Sequence, residues 1–248
     1  MIYYEAADVK LYKGDCLDIL PTLGTDSVDM VFTSPPYNTG NSGKNKDMYV
    51  EYDDNLSDND YYKLLNDCLQ QCLSICRGAV FFNINYMNNN KLVLYKWMSD
   101  NSPVLRENII WDKGTCQPPI GNILAKRYEY ILMFTKDPKF PVNNFRENIA
   151  KGYERYFGPW VSNLITMPID RENLSQAGTH RAGFPVDLPK IFIEIYTKPG
   201  DTVLDPFNGL GSTIEAARSV GRRGIGIELC DKYCELTKER VSQGKLDV

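Results

Sequence analysis

Short apolar runs alternate with segments of helical periodicity along most of this chain, and that alternation limits the folds it can adopt. The apolar runs fit buried strands, whereas apolar residues at three- and four-residue spacing fit one face of a helix. Strands that alternate with helices indicate an α/β fold, with a doubly wound, mainly parallel sheet covered by helices on both faces. The predicted strands span residues 28–33, 79–84, 108–111, 130–135, 202–204 and 224–228, and the predicted helices span residues 57–77, 87–100, 186–197, 212–220 and 231–242.

Two segments show neither the apolar runs of buried strands nor the spacing of an amphipathic helix. Residues 39–55 are rich in Gly, Asn, Asp and Lys, a composition typical of a loop. Residues 137–178 contain scattered aromatic residues, Pro and Gly, and long irregular segments of this kind are usually functional or disordered. Because the aromatic residues argue against full disorder, we interpret residues 137–178 as a small functional insert.

The overall charge gives a mixed indication about nucleic acid. The formal net charge is −4 and the isoelectric point about 5.2, although nucleic-acid-binding proteins are often basic. Residues 126–181 nevertheless hold more Lys and Arg than Asp and Glu, and local potential governs the steering of a polyanion. No run of about 18 apolar residues occurs and no signal segment is recognisable, so the sequence predicts a cytoplasmic protein with no membrane partner.

The cysteines and the single histidine bear on metal binding. Cys68, Cys72 and Cys76 recur every four residues, so they are expected to line one face of the helix predicted over residues 57–77. His180 is the only histidine, and no second cluster of Cys or His accompanies the three cysteines. We therefore predict that they are small buried residues in a reducing compartment, and that the chain has no metal site.

A glycine-containing turn near the end of the chain suits a nucleoside ligand. Residues 202–213 predict a strand, a tight turn with Gly209 and Gly211, and a helix that Ser212 or Thr213 caps. The third glycine of a dinucleotide-binding turn and the Gly-Lys pair of a phosphate loop are both absent. Glu228 ends the next predicted strand, about 20 residues further on, where a carboxylate binds ribose hydroxyls.

A second turn, Thr33-Ser34-Pro35-Pro36-Tyr37-Asn38, follows the first predicted strand and suits an amino group on an aromatic ring. The two prolines fix the turn and leave carbonyl oxygens free to accept hydrogen bonds. Ser34 adds a side-chain acceptor and Tyr37 an aromatic face. Ligands of open α/β sheets bind beyond the carboxyl ends of the strands. If the aromatic ring is a base of double-stranded nucleic acid, the base must leave the duplex to reach such a site.

Together these features resemble the amino-methyltransferases of bacterial and phage modification systems, which act on adenine N6 and cytosine N4 in DNA. The resemblance covers nearly the whole chain and implies a Rossmann-like methyltransferase fold with S-adenosyl-L-methionine as cofactor. It implies a catalytic role for Ser34, Pro35, Pro36 and Tyr37. The residues implied in cofactor binding are Asp15, Thr33, His180, Asp205, Phe207, Gly209, Gly211, Thr213 and Glu228.

Two further segments take part in the resemblance. Residues 180–185, followed by Leu188, resemble the segment that closes over the methionine end of the cofactor. Residues 128–134 resemble a family strand that usually begins with His-Glu. Tyr128 replaces that histidine here, so no role is assigned to it.

The order of the motifs, with the catalytic turn first and the cofactor turn last, resembles that of the beta group of the family. It implies a catalytic half over residues 1–136, a target-recognition insert over residues 137–178 and a cofactor-binding half over residues 179–248. The expected partners are double-stranded DNA, a second copy of the chain in a homodimer and a cognate restriction endonuclease.

The choice of base stays open at this point. Ser34 resembles the cytosine-N4 enzymes, whereas Asn38 after the tyrosine is common among the adenine-N6 enzymes, and the sequence favours cytosine N4. Methylation of cytosine C5 needs a cysteine nucleophile, usually after proline, and no cysteine here follows one. Two competing classes are an RNA or protein-glutamine methyltransferase and a non-catalytic DNA-binding subunit.

Overall fold

The computed structural model describes residues 1–40, 54–115, 124–137, 139, 153–157, 162–169 and 183–242. These residues form nine strands, seven α-helices and a 3-10 turn over Leu20–Thr22. The strands are β1 (Ile2–Ala6), β2 (Val9–Lys13), β3 (Val28–Thr33), β4 (Cys76–Ile84), β5 (Leu105–Asp112), β6 (Tyr128–Phe134), β7 (Leu164–Thr166), β8 (Thr202–Asp205) and β9 (Arg223–Glu228). The helices are α1 (Cys16–Ile19), α2 (Asp58–Ile75), α3 (Lys91–Asp100), α4 (Glu154–Phe157), α5 (Asp187–Tyr196), α6 (Ser212–Ser219) and α7 (Asp231–Ser242).

The strands form one mixed sheet in the order β1-β2-β9-β8-β3-β4-β6-β5-β7. The five strands β2, β9, β8, β3 and β4 are parallel to one another, whereas β1 and β6 run antiparallel to their neighbours. This mainly parallel α/β sheet confirms the predicted fold class. All six predicted strands and all five predicted helices are present, and the sequence prediction missed β1, β2 and β7.

The chain reverses its direction across the sheet between β3 and β8. From β3 it passes through α2 to β4 on one side, and from β8 it passes through α6 to β9 on the other. Only Met30 and Val31 of β3 are in register with β8, opposite Val203 and Leu204. The carboxyl ends of two strands that diverge in this way form the usual ligand-binding crevice of an open α/β sheet.

The central strands are buried on both faces, as expected for parallel strands covered by helices. Met30 and Phe32 of β3 pack into a core cluster with α5, whereas Val31 between them packs into a second cluster with α2 and α3. Successive side chains of a strand point to opposite faces, so a continuous apolar run supplies both cores at once.

Helix α2 begins as predicted and ends earlier than predicted. The Ser57 side chain accepts a hydrogen bond from Asp60 N at 3.2 Å, so Ser57 is the N-cap. Cys68 and Cys72 are fully buried on α2. Cys76 is buried too, but it is the first residue of β4, so the prediction of three cysteines on one helix face is wrong for Cys76.

Part of the predicted insert joins the sheet. Leu164–Thr166 form β7, which pairs parallel to β5 at the edge. The remaining described residues of the insert are Asp137, Lys139, residues 153–157, residues 162–163 and residues 167–169, and the rest of residues 137–178 lies outside the described part of the chain. Among the described helices, none combines the length and the apolar character that crossing a bilayer requires.

Candidate active site

The two turns singled out in the sequence meet at the crevice between β3 and β8. Thr33 is the last residue of β3 and Asp205 the last residue of β8. The Thr33 Oγ1 hydroxyl donates a 2.6 Å hydrogen bond to Asp205 Oδ1, and both side chains are buried. The Ser34–Tyr37 turn that follows Thr33 and the glycine turn that follows Asp205 therefore start from one shared contact.

Asp205 holds the start of the glycine turn through hydrogen bonds to its carboxylate. Its carboxylate accepts hydrogen bonds from Thr33 Oγ1, from Thr213 Oγ1 at 2.7 Å and from Phe207 N at 3.0 Å. Burial raises the pKa of Asp205 to about 6, and the three hydrogen bonds oppose that rise.

The two glycines of this turn adopt left-handed conformations, with φ of +50° at Gly209 and +80° at Gly211. A Cβ at Gly211 would lie 2.9 Å from Thr237 Cγ2, so the turn needs glycine there for space as well as for backbone angle. Helix α6 starts after Gly211 with no side-chain cap. The predicted capping by Ser212 or Thr213 is wrong, because the Thr213 hydroxyl contacts the Asp205 carboxylate instead.

Glu228 closes the other side of the glycine turn. Its Oε2 accepts a 2.7 Å hydrogen bond from Gly209 N, and its Oε1 accepts a 2.8 Å hydrogen bond from Cys230 N. Burial raises the pKa of Glu228 to about 7, while these two hydrogen bonds oppose the rise. Because a carboxylate offers about four acceptor positions, the group retains capacity to accept from hydroxyls of a ligand.

Asp15 lies beside Glu228, because β2 and β9 are parallel neighbours. Gly14 N donates to Glu228 O at 2.9 Å at the shared end of the two strands. Asp15 is the N-cap of the short helix α1 and accepts a 2.8 Å hydrogen bond from Leu17 N. Its exposed carboxylate lies at the rim of the crevice.

Side chains from several elements hold the Ser34–Tyr37 turn. Tyr61 of α2 donates a 2.8 Å hydrogen bond from its hydroxyl to Pro36 O. Asn90, just before α3, donates from Nδ2 to Tyr37 O at 2.6 Å. Among the described residues no donor reaches the Pro35 carbonyl oxygen, which therefore keeps its acceptor capacity.

Asn38 is the last residue of the turn, and its side chain binds backbone groups of another segment. Its φ is +52°, a conformation that asparagine tolerates better than most residues. Its side chain exchanges two hydrogen bonds with the backbone of Leu56, one from Leu56 N to Oδ1 at 2.7 Å and one from Nδ2 to Leu56 O at 3.0 Å. Asn38 is buried and anchors the turn to the segment before α2.

The hydroxyl of Tyr37 points into the protein. It donates a 2.9 Å hydrogen bond to Glu129 Oε2, and it lies 3.2 Å from Ser34 Oγ and 3.0 Å from Asn83 Nδ2. Glu129 is in turn paired with Lys113, with 2.9 Å between Oε1 and Nζ. The sequence prediction gave no role to Asn83, Glu129 or Lys113. Asn83 nevertheless stands out as a polar residue inside an apolar strand, and Glu129 belongs to the segment 128–134 that resembles a family strand.

One cavity of about 190 Å³ opens between the two turns. All four predicted catalytic residues line it, and so do Asp15, Asp205, Phe207, Gly209 and Glu228 from the predicted cofactor set. Three other predicted cofactor residues, Thr33, Gly211 and Thr213, do not line the cavity. His180 lies outside the described residues. The lining residues not predicted as site residues are Gly14, Cys16, Leu64, Gly183, Phe184, Pro206, Asn208, Leu210, Ser212, Ile227, Leu229 and Tyr233.

The composition of this wall fits a nucleoside without phosphates. Carboxylates at Asp15 and Glu228 face a cavity with apolar side chains such as Phe207, Leu229 and Tyr233. No Lys or Arg is among the described lining residues, so the cavity provides no cationic side chain for a pyrophosphate. The acids also suit a ligand that carries a positive charge.

Comparison with known proteins decides the family. A sequence profile described as DNA methylase, N6_N4_Mtase, matches residues 28–239, which include both turns. The chain belongs to the N6_N4 DNA methylases. Among curated members, the Type II methyltransferase M.ScaI of Streptomyces caespitosus is 27% identical over 96% of this chain and 83% of its own length. The Type II beta methyltransferase M.BslI of Bacillus sp. (strain NEB-606) is 26% identical over 94% of this chain, which spans only 27% of M.BslI.

Two solved structures share the fold of this chain. The PvuII DNA methyltransferase, described as cytosine-N4-specific, superposes with a TM-score of 0.77 at 20% identity, covering 99% of this chain and 90% of that one. The complex of M1.HpyAVI with SAM superposes with a TM-score of 0.63 at 22% identity, covering 94% of this chain and all of that one. The nine-stranded sheet is therefore a fold that this chain shares with both of these proteins.

Proposed function

We propose that this DNA methyltransferase transfers a methyl group to the exocyclic N4 of cytosine in duplex DNA, with the target base flipped out of the helix. S-adenosyl-L-methionine is its cofactor and supplies an electrophilic methyl group. The observation that carries the proposal is a single cavity with the Ser34–Tyr37 turn on one side and the Gly209 and Glu228 turn on the other. An amine acceptor site and a nucleoside site thereby share one cavity.

The residues on the cofactor side of the cavity would bind S-adenosyl-L-methionine and orient its methyl group. We infer that Glu228 accepts hydrogen bonds from two ribose hydroxyls and that Asp15 contacts the adenine end. The close backbone approach at Gly209 and the ring of Phe207 complete that half of the cavity. Because the glycine turn is fixed by the buried Asp205, the cofactor side needs little rearrangement on binding.

The residues of the catalytic turn would hold the amino group. An exocyclic amine is conjugated with its ring and is a weak nucleophile. Hydrogen bonds accepted by Ser34 Oγ and by the Pro35 carbonyl would localise its lone pair and aim it, while the base stacks on Tyr37. Orientation and exclusion of water then provide most of the rate enhancement, and no covalent enzyme intermediate is required.

The contacts of Asn38 give this residue a structural role in the turn. Asn38 is the feature of the turn that resembles adenine-N6 enzymes, but its side chain is occupied by the backbone of Leu56 and is not part of the cavity lining. Asn38 is thus explained by the structure of the turn, and Ser34 is left as the residue that bears on the base. Adenine N6 is the competing target that the experiment must distinguish.

Sequencing DNA from cells that express the protein, with a method that reports modified bases, tests the proposal. It yields the base, the atom and the recognition sequence together, and we expect N4-methylcytosine at a defined short site. N6-methyladenine would overturn the choice of base, and unmodified DNA with purified protein that fails to bind S-adenosyl-L-methionine would overturn the enzyme assignment. Parallel assays with tritiated cofactor on ribosomal RNA and protein separate the RNA and protein methyltransferase classes.

Ser34→Ala and Tyr37→Ala are expected to abolish the mark while leaving cofactor binding largely intact, because both residues lie on the base side of the cavity. Ser74→Ala is the matched control, since Ser74 is an exposed serine of α2. Normal methylation by both site variants would contradict the proposed site. A homodimer, a cognate restriction endonuclease and target recognition by residues 137–178 stay predictions.

A further inference from the structure

A chain of hydrogen bonds runs from the interior of the protein to the catalytic turn. Lys113 Nζ lies 2.9 Å from Glu129 Oε1, and Glu129 Oε2 lies 2.9 Å from the Tyr37 hydroxyl. The Tyr37 hydroxyl lies 3.2 Å from Ser34 Oγ, which is at the cavity wall. The side chains of Lys113 and Glu129 are only 15% and 14% exposed, so water competes little for these groups.

The first link fixes the direction of the others. An ionised carboxylate only accepts hydrogen bonds, so between Glu129 and Tyr37 the tyrosine must be the donor. The other acceptor near the Tyr37 hydroxyl, the backbone carbonyl of Asn83, is 3.4 Å away and is therefore the poorer one. A hydroxyl has a single proton, so the Tyr37 oxygen faces Ser34 as an acceptor and Ser34 donates to it.

Asn83 reinforces the same direction. Its Nδ2 lies 2.9 Å from Glu129 Oε2 and 3.0 Å from the Tyr37 oxygen. Rotating this amide by half a turn would place its carbonyl oxygen against the carboxylate, so the donor orientation is the stable one. The Tyr37 oxygen then accepts from Asn83 and Ser34 and donates to Glu129.

We propose that Glu129 is a positioning residue that orients the Ser34 hydroxyl as a hydrogen-bond acceptor toward the target base, and that this selects an amino group against a keto group. With its only proton directed to Tyr37, the Ser34 hydroxyl presents lone pairs to the cavity. An amino group donates to those lone pairs, whereas a keto oxygen repels them. This inference rests on the proposed function, because it assumes that the base amino group lies at Ser34.

The test compares Glu129→Gln and Tyr37→Phe with the wild type. An amide at position 129 can donate or accept, and phenylalanine cannot accept from Ser34, so either change frees the Ser34 proton. We expect kcat to fall about 10- to 100-fold, the effect of one hydrogen bond to a charged group, with the Kd of S-adenosyl-L-methionine unchanged within about twofold. The double variant should be no slower than the slower single variant.

The decisive measurement is base selectivity. Duplexes carry the recognition site found by sequencing, with either the amino base or its keto counterpart (uracil for cytosine, hypoxanthine for adenine) at the target. Their affinities are measured with S-adenosylhomocysteine present. The wild type should prefer the amino base, and Glu129→Gln and Tyr37→Phe should bring the ratio toward one. The differing cost of opening the two base pairs cancels when variants are compared on the same duplexes.

Glu107→Gln is the matched control, because Glu107 is an exposed glutamate on the neighbouring strand β5. Active wild type together with unchanged selectivity in both variants would overturn the role of Glu129 and leave the methyltransferase assignment standing. A loss of activity with unchanged selectivity would show that Glu129 only supports the fold. Wild type that methylates neither base would overturn both proposals.

Discussion

The hydroxyl of Thr33 and the carboxylate of Asp205 join the ends of two neighbouring strands through a 2.6 Å hydrogen bond. One strand leads into the turn proposed to hold the base, and the other leads into the turn proposed to hold the cofactor. Both groups are buried, so the bond is protected from water. The contact therefore links the two halves of the site, in addition to the pairing of β3 with β8.

Thr33→Val removes the hydroxyl and keeps the branched shape of the side chain. It leaves the buried Asp205 Oδ1 with one fewer donor, so we expect the free energy of unfolding to fall by about 1–3 kcal/mol. Denaturation in urea measures the change, with Thr25→Val, an exposed threonine in the turn before β3, as the control. Equal stability of the two variants would contradict a structural role for the contact.

Gly211→Ala and Gly221→Ala separate two costs of adding a side chain. Both glycines have positive φ, +80° and +77°, and a left-handed backbone costs an alanine about 1–2 kcal/mol. A Cβ meets Thr237 at Gly211, whereas nothing lies within 4 Å at Gly221. We expect Gly211→Ala to be the more destabilising of the two in thermal unfolding and to weaken cofactor binding as well. The opposite order of stability would exclude the close contact with Thr237.

Cofactor affinity should depend on pH through Glu228. Burial raises its pKa to about 7 in the free protein, and ribose hydroxyls bind the ionised form best. Affinity is therefore expected to be nearly full at pH 8, and the Kd to be about tenfold higher at pH 6, where the carboxyl is mostly protonated. Calorimetric titration from pH 6 to 8 measures it. Glu228→Gln should bind weakly at every pH, so a pH dependence that survives in this variant would assign the effect to another group.

Tyr61→Phe tests the support of the catalytic turn. The Tyr61 hydroxyl binds Pro36 O at 2.8 Å, so its loss frees that carbonyl and loosens the turn. We expect a fall in kcat of about tenfold, with the Kd of S-adenosyl-L-methionine unchanged. Tyr62→Phe on the same helix is the control, because its hydroxyl binds Asp100 near the surface. An equal effect of both variants would point to α2 as a whole rather than to the Pro36 contact.

Much of the sheet could be predicted because its central strands are buried on both faces. A continuous apolar run such as 28–33 or 79–84 is a strong pattern, and both runs are strands. The outer strands β1 and β2 were not predicted, because they mix tyrosines with charged residues and so lack such a run. β7 has only three residues, which is too short for any periodicity.

The two turns of the candidate site could be predicted from the sequence. Turns with Pro35 and Pro36, or with Gly209 and Gly211, carry their geometry in their residue types. The partners behind them could not be predicted, because Glu129 and Lys113 reach Tyr37 across the sheet from distant positions in the sequence. Only the pairing of β4 with β6 brings Asn83 and Glu129 together, and no local pattern in the sequence indicates that pairing.

The reversal of the chain between β3 and β8 has a consequence for how such enzymes diversify. Each half of the site belongs to its own strand, turn and helix, and the two units face each other without being neighbours in the sequence. Under the proposed function, the turn after β3 contacts the base and the turn after β8 contacts the methyl donor, so substitutions in one turn leave the other unchanged. Selection can therefore change the mark written on DNA without rebuilding the machinery that supplies it.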